Sequence, residues 1–187
     1  MSSLRANKRN CLIWDKLVNE AMDVIKREPH LEDFFRKAIL GFEDIESSIS
    51  YVLADQLQQN DCNLEKTQSI IFNALISESD IYEKIICDIN TVIDRDPACI
   101  TFYQPILFFK GFQSLQVYRA ANYYWKIGNT ATAFYLQSRA SQVFDIDIHP
   151  AADIGMGVLM DHATGLVIGE TSKVGNGTSI LHGVTLG

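Results

Sequence analysis

Apolar residues recur at helical spacing through roughly the first three quarters of the chain. Leu12, Ile13, Leu17, Val18, Met22 and Ile25 form one stripe, and Ile45, Ile49, Val52, Leu53 and Leu57 form another. The same spacing predicts further helices over 31–40, 64–78, 79–94, 104–127 and 130–143. Asn63 stands where an N-cap belongs, and "SESD" at 77–80 offers a cap for the helix that follows. Pro29, Gly41, Pro97 and Gly128 mark joints between these segments. This part of the chain reads as all-α.

Near residue 146 the helical period stops and a period of six replaces it. Ile148, Ile154 and Met160 are six apart; after a gap of eight, Ile168, Val174, Ile180 and Leu186 are again six apart. Gly155, Gly169, Gly175 and Gly187 directly follow aliphatic members, and the fourth position after each is small or β-branched (Ala152, Val158, Thr164, Ser172, Thr178, Val184). A hexapeptide repeat of this kind builds a parallel β-helix, with each hexad forming one face of a triangular coil around the aliphatic residues. The expectation is an α-helical N-terminal domain over 1–145, followed by the start of a β-helix over 146–187. Three hexads make a coil, so the repeat covers little more than two coils before "VTLG". A free end of stacked repeats needs a cap, and the expectation drawn is a truncated or incompletely represented protein.

Composition narrows the classes. The chain has 187 residues, 47% of them hydrophobic and 21% charged, which suits a folded domain with a sizeable core. A net charge of −7 argues against a nucleic-acid partner, because phosphate binding needs a basic face. The most apolar stretch, "PILFFKGF", is interrupted by Lys110, so no membrane span is expected. The start, "MSSLRANKRNCLIWDK", has no apolar signal core, which leaves a short organellar presequence as the alternative to a cytoplasmic address. Cys11, Cys62, Cys87 and Cys99 show no CxxC spacing and read as reduced, mostly buried thiols.

The two-residue slip in the six-residue period falls within "MDHATGLVI", and a loop displaced from a regular coil is a natural seat for chemistry. Here the segments "PILFFKGFQSLQVYRAANYYW", "DIHPAADIG", "DHATGLVIGET" and "SILHGVTLG" resemble successive signatures of the serine O-acetyltransferase family. The resemblance runs from about residue 12 to the last residue. It implies a left-handed parallel β-helix, acetyl-CoA as co-substrate, L-serine as acceptor and O-acetyl-L-serine as product for cysteine synthesis. It also implies L-cysteine as feedback inhibitor, and a homo-oligomer built as a trimer or a dimer of trimers with sites between neighbouring coils.

A serine hydroxyl attacks a thioester only as a base removes its proton, and a histidine titrating near ~6.5 suits that task. The resemblance assigns this role to His162, with Asp147 as the carboxylate that orients the ring in the manner of an acyl-transfer triad. It assigns Asp96 and Asp161 to the serine ammonium, and so to feedback cysteine. Plain competitors stand beside each: a surface-turn histidine, a turn aspartate, and for Asp96 an Asp-Pro pair that simply ends a helix. Glu170 and His182 are possible further contacts, while His149 reads as structural beside a core isoleucine. The aromatic run from "FYQPILFF" to "ANYYW" reads as helix core and subunit contact rather than a ligand box.

Two rival readings accompany this one. His149, His162 and His182 could hold zinc as in γ-type carbonic anhydrases, although "DHATG" and the helical half oppose that and no metal is expected. Alternatively the chain is a catalytically incomplete assembly or regulatory subunit. In the family a second histidine, an arginine and most acetyl-CoA contacts follow "VTLGG", so the cofactor-binding residues are expected mostly beyond Gly187. A tail that docks onto cysteine synthase lies later still, and that partner is expected only if such a tail exists.

Overall fold

The structure, a computed structural model, describes residues 12–58 and 63–187. Cys11 and Cys62 therefore lie outside the described residues. Helix α1 (Leu12–Arg27) buries Ile13, Trp14, Leu17, Ala21 and Val24. Its inner face is turned from the expected stripe, for Leu12 is 78% exposed and Met22 41%. The small Ala21 explains the turn: it continues the line from Trp14 and Leu17 at helical spacing, where a reading by bulk passes over it.

After a 3₁₀ turn at Pro29–Leu31, a short α2 (Glu32–Phe35) widens into a π-helical segment, Arg36–Leu40, that closes at Gly41. Asp44 caps α3 (Ile45–Gln56) by accepting from the Ser47 N–H at 2.8 Å, and the expected stripe from Ile45 to Leu57 is buried. Asn63 caps α4 (Leu64–Ser77) as anticipated, accepting from the Glu65 N–H at 2.8 Å. The "SESD" cap does not form. Glu78 occupies the N-cap of α5 (Ser79–Arg95) without a side-chain bond, and the Ser77 hydroxyl donates back to the Asn73 carbonyl. Ser77 still belongs to the last turn of α4, where its hydroxyl bonds back to the carbonyl four residues earlier instead of capping the next helix.

The helix expected over 104–127 is two helices, α6 (Tyr103–Phe108) and α7 (Lys110–Lys126), separated by Phe109 in an extended conformation. A tertiary contact accounts for the break. A Cβ on Gly111 would lie 2.0 Å from the Met160 carbonyl oxygen, so α7 begins where its backbone meets the strand region. Every residue from Gly111 to Ala121 is buried, which makes α7 the central helix. Helix α8 (Thr130–Phe144) ends at Asp145, whose left-handed backbone (φ 58°) turns the chain into the first strand.

Seven short strands follow: β1 (Ile146–Ile148), β2 (Asp153–Ile154), β3 (Leu159–Met160), β4 (Leu166–Ile168), β5 (Lys173–Val174), β6 (Ser179–Ile180) and β7 (Thr185–Leu186). Strands β1 to β4 each pair in parallel with the strand three places on, giving sheets β1-β4-β7, β2-β5 and β3-β6. Ile146 pairs with Leu166, twenty positions later, whereas Val167 pairs with Thr185, eighteen later. The extra two residues are the slip seen in the sequence. Ile148, Ile154, Met160, Ile168, Val174 and Ile180 are all buried, each stabilising the stack by about 1.5–3 kcal/mol. The hydrophobic core runs without interruption from α1 to these strands. Among the described residues, no helix is long and apolar enough to cross a membrane.

Side chains of α7 and α5 fasten the first circuit of strands. The Tyr118 hydroxyl donates to the Ala152 carbonyl (2.5 Å) and accepts from the Ile154 N–H (3.3 Å); burial pushes it up to about 12, so it stays protonated. Asn122 donates to the Pro150 carbonyl at 2.7 Å. Deeper in, Asp88 of α5 and Arg119 of α7 form a buried ion pair at 2.6 Å. The Asp88 Oδ2 also accepts from Gln116, its Oδ1 accepts from the Val158 N–H at 3.0 Å, and Arg119 donates onward to the Gly155 carbonyl at 2.9 Å. Replacing Arg119 by Met is expected to cost about 3–5 kcal/mol in urea unfolding, because an uncompensated carboxylate stays buried. The double variant Asp88→Leu/Arg119→Met should lose less than the sum of the two single variants; strict additivity would rule out the coupling.

Candidate active site

A cleft of about 360 Å³ opens where the end of α5, the start of α7 and the segment after β3 meet. Asp96, Lys110, Asp161, His162 and Thr164 supply its polar lining, and Phe108 and Phe109 part of its apolar wall. Three of the four principal residues expected from the sequence thus share one cavity, although Asp96 and Asp161 are far apart in the chain.

The Asp161–Gly165 loop carries the extra residues of the longer circuit. His162 and Ala163 both adopt φ 53°, and Gly165 φ 70°. For residues with a Cβ the left-handed region costs about 1–2 kcal/mol each, so other contacts must hold the loop. The Asp161 N–H donates to the Ile180 carbonyl (2.8 Å), the Gly165 N–H to the Asp145 carbonyl (2.8 Å) and the Gly183 N–H to the Thr164 carbonyl (2.8 Å). Ala163 is wholly buried. Lys110, the first residue of α7, donates from Nζ to the Thr164 Oγ1 at 2.5 Å. The result is a His162 ring that stands out of the loop, with its side chain 82% exposed and its Nε2 3.8 Å from the Asp161 Oδ1.

Asp96 ends α5. Its N–H donates to the Val92 carbonyl, its carbonyl accepts from the Cys99 N–H, and its Oδ1 accepts from the Ala98 N–H at 2.9 Å across Pro97. The helix-ending turn proposed as a competitor therefore forms, and the same aspartate still borders the cleft. Gln104 ties this loop by accepting from the Ile100 and Thr101 N–H groups, and Glu20 accepts from the Phe102 N–H at 2.7 Å. Burial pushes the nearby Cys99 thiol up to about 11, so it stays protonated at neutral pH and is no nucleophile.

The other expected residues lie elsewhere. Asp147, in the middle of β1, is not part of the cleft lining; its Oδ1 accepts from Gln137 Nε2 at 2.7 Å. His149 packs edge-on against Trp125 and Phe134, with ring centroids 5.2 and 5.7 Å away, and its Nδ1 accepts from the Ala151 N–H. His182 and Glu170 are exposed, His182 two residues past the Met160–Ile180 pairing and so at the position matching His162 one circuit on. Among the described residues no group of three or more His, Cys, Asp or Glu could hold a metal ion. Sequence reasoning passed over Lys110, Thr164, Phe108 and Phe109 as site residues. The aromatic run is therefore partly cleft wall. The helix break at Phe109 puts it there, and no local pattern announces that break.

A helical half thus packs on parallel strands, and an acidic cleft with a projecting histidine lies where the two meet. The family described as "Serine acetyltransferase, N-terminal" matches residues 13–117. Serine acetyltransferase of Buchnera aphidicola subsp. Acyrthosiphon pisum is 43% identical over 175 residues, covering 94% of this chain and 64% of that protein. A crystal structure of serine acetyltransferase from Brucella abortus strain S19 in complex with coenzyme A aligns with a TM-score of 0.91 at 38% identity, covering 95% of this chain and 71% of that one. A serine acetyltransferase in complex with cysteine aligns with a TM-score of 0.89 at 41% identity, covering 92% and 72%. The chain belongs to the serine acetyltransferase family. It spans about half to two thirds of the length of the curated relatives it matches.

The approach of Gly111 to Met160 yields a direct test. Gly111→Ala must push the start of α7 off β3, since the obstacle is a backbone carbonyl that cannot rotate away. A loss of about 1–3 kcal/mol or more is expected in thermal unfolding; wild-type stability would show that this contact does not seat the helix.

Proposed function

We propose that the protein is a serine O-acetyltransferase, moving the acetyl group of acetyl-CoA to the hydroxyl of L-serine to give O-acetyl-L-serine for cysteine synthesis. The convergence of Asp96, Asp161 and His162 on one cleft carries this reading. Family membership supports the substrates, as do relatives in complex with coenzyme A and with cysteine. The two aspartates offer negative charge to the substrate ammonium. His162 takes the hydroxyl proton as the serine oxygen attacks the thioester carbon; collapse of the tetrahedral adduct expels the coenzyme A thiolate, which receives that proton from the imidazolium. Among the described residues, Asp161 is the carboxylate nearest the ring. The orienting role goes to Asp147 on the family resemblance; in this structure its Oδ1 accepts from Gln137 Nε2.

In the same reading, residues 1–145 form the helical domain and 146–187 the start of a left-handed parallel β-helix, a form that the three parallel sheets support. The working assembly is a homo-oligomer, a trimer or a dimer of trimers in the cytoplasm. The outward Val167 and Leu181, 39% and 55% exposed, support contact between neighbouring coils. Cysteine carries the ammonium and carboxylate of serine, so it enters the same site as feedback inhibitor.

In the full-length protein, His162→Asn should lower kcat about 10²–10⁴-fold while leaving the KM for acetyl-CoA nearly unchanged. Near-normal turnover in this variant would make the loop scaffolding. Asp96→Ala, followed by calorimetric titration, should weaken serine and cysteine binding together. Retention of both affinities would remove Asp96 from the site.

A further inference from the structure

The proposed chemistry leaves one charged residue of the cleft unused. Lys110 lines the cavity with Asp96 and Asp161, yet its ammonium donates to the neutral hydroxyl of Thr164. Pairing with either aspartate would neutralise the charge that a substrate ammonium needs. Bonding to Thr164 leaves both carboxylates available and ties the lysine to the loop bearing His162.

That loop needs such a tie. His162 and Ala163 are consecutive left-handed residues, each with a Cβ, and the backbone bonds from neighbouring segments reach Asp161, Thr164 and Gly165 but not His162. Among the described residues, Lys110 provides the one side-chain hydrogen bond that reaches the loop from another element. It is also a fixed anchor. Gly111 brings the start of α7 into contact with the Met160 carbonyl, and the Phe109 carbonyl accepts from the Gln113 N–H at 3.0 Å to close the first turn. The backbone of the anchor is thus packed directly against the end of β3, and the loop leaves from that same point.

We infer that Lys110 is a positioning residue: through Thr164 it holds the Asp161–Gly165 loop in the left-handed conformation that presents His162 to the cleft. This rests on His162 being the base of the proposed reaction. Displacing a catalytic group by about 1 Å can cost 10²-fold in rate, and that is the scale of effect at issue.

The test uses Lys110→Met, Thr164→Val, Thr164→Ser and the Lys110→Met/Thr164→Val double variant of the full-length protein. Either single variant should lower kcat about 10–10²-fold with the serine KM within about twofold. The double variant should be no slower than the worse single one, and Thr164→Ser should restore most of the rate. Thr164→Val matters most, because it keeps the lysine charge and removes only the bond. Hydrogen–deuterium exchange of the peptide spanning 159–166 gives a readout independent of turnover: exchange should quicken in Thr164→Val and return to normal in Thr164→Ser, with the melting temperature unmoved. If the wild-type protein transfers no acetyl group to serine, the functional reading fails, and the exchange data alone decide whether the bond holds the loop. Wild-type exchange in Thr164→Val would overturn the inference. So would a Lys110→Met variant whose serine KM rises tenfold while Thr164→Val is silent, since the lysine would then touch substrate directly.

Discussion

The ion pair between Asp88 and Arg119 sets the geometry on which the rest depends. It joins α5 to α7 and, through the Val158 N–H and the Gly155 carbonyl, joins both helices to the backbone of the strands. Taking two charges out of water is unfavourable. Burial pushes the Asp88 carboxyl above the usual carboxylate range, while the Arg119 guanidinium draws it back down. Further hydrogen bonds offset the remaining penalty, and they make the pair specific: a hydrophobic substitute could fill the space without specifying which carbonyl and which amide it meets. Both walls of the cleft are extensions of this joint. Asp96 lies about two helical turns beyond Asp88 on α5, and Lys110 opens the helix that carries Arg119.

Much of this architecture was legible as periodicity. The stripe of α3 and the hexad positions from Ile148 to Ile180 are repeated local signals that match burial, Leu186 being half-buried, and the Asn63 cap forms as its position predicts. The misreadings share a cause as well. The inner face of α1 turns on Ala21, a residue too small to register as hydrophobic bulk, and the break at Phe109 turns on Gly111 meeting a carbonyl far away in sequence. Neither is encoded by neighbours. Spacing along a helix records which face is buried only when bulky side chains do the burying.

The site divides along the same line. The slip of two residues pointed to the loop, and resemblance to a family supplied the aspartates; no spacing rule connects Asp96 with Asp161. Lys110 looked like an interruption in an apolar run, which is what a lysine at the mouth of a cleft looks like in one dimension. His149 shows the converse: a histidine beside the expected site, yet held by two aromatic rings and a backbone N–H.

The unequal circuits have a consequence for how this surface can vary. A chain that counts twenty residues on one pass and eighteen on the next keeps its strands aligned because the surplus leaves and rejoins at fixed points, Asp161 and Gly165. Insertions elsewhere in the repeat would turn buried aliphatic residues outward along every later strand. Here a change of length stays local. The one gap in the ruler that absorbs extra length without shifting the strands is therefore the segment that carries Asp161 and His162.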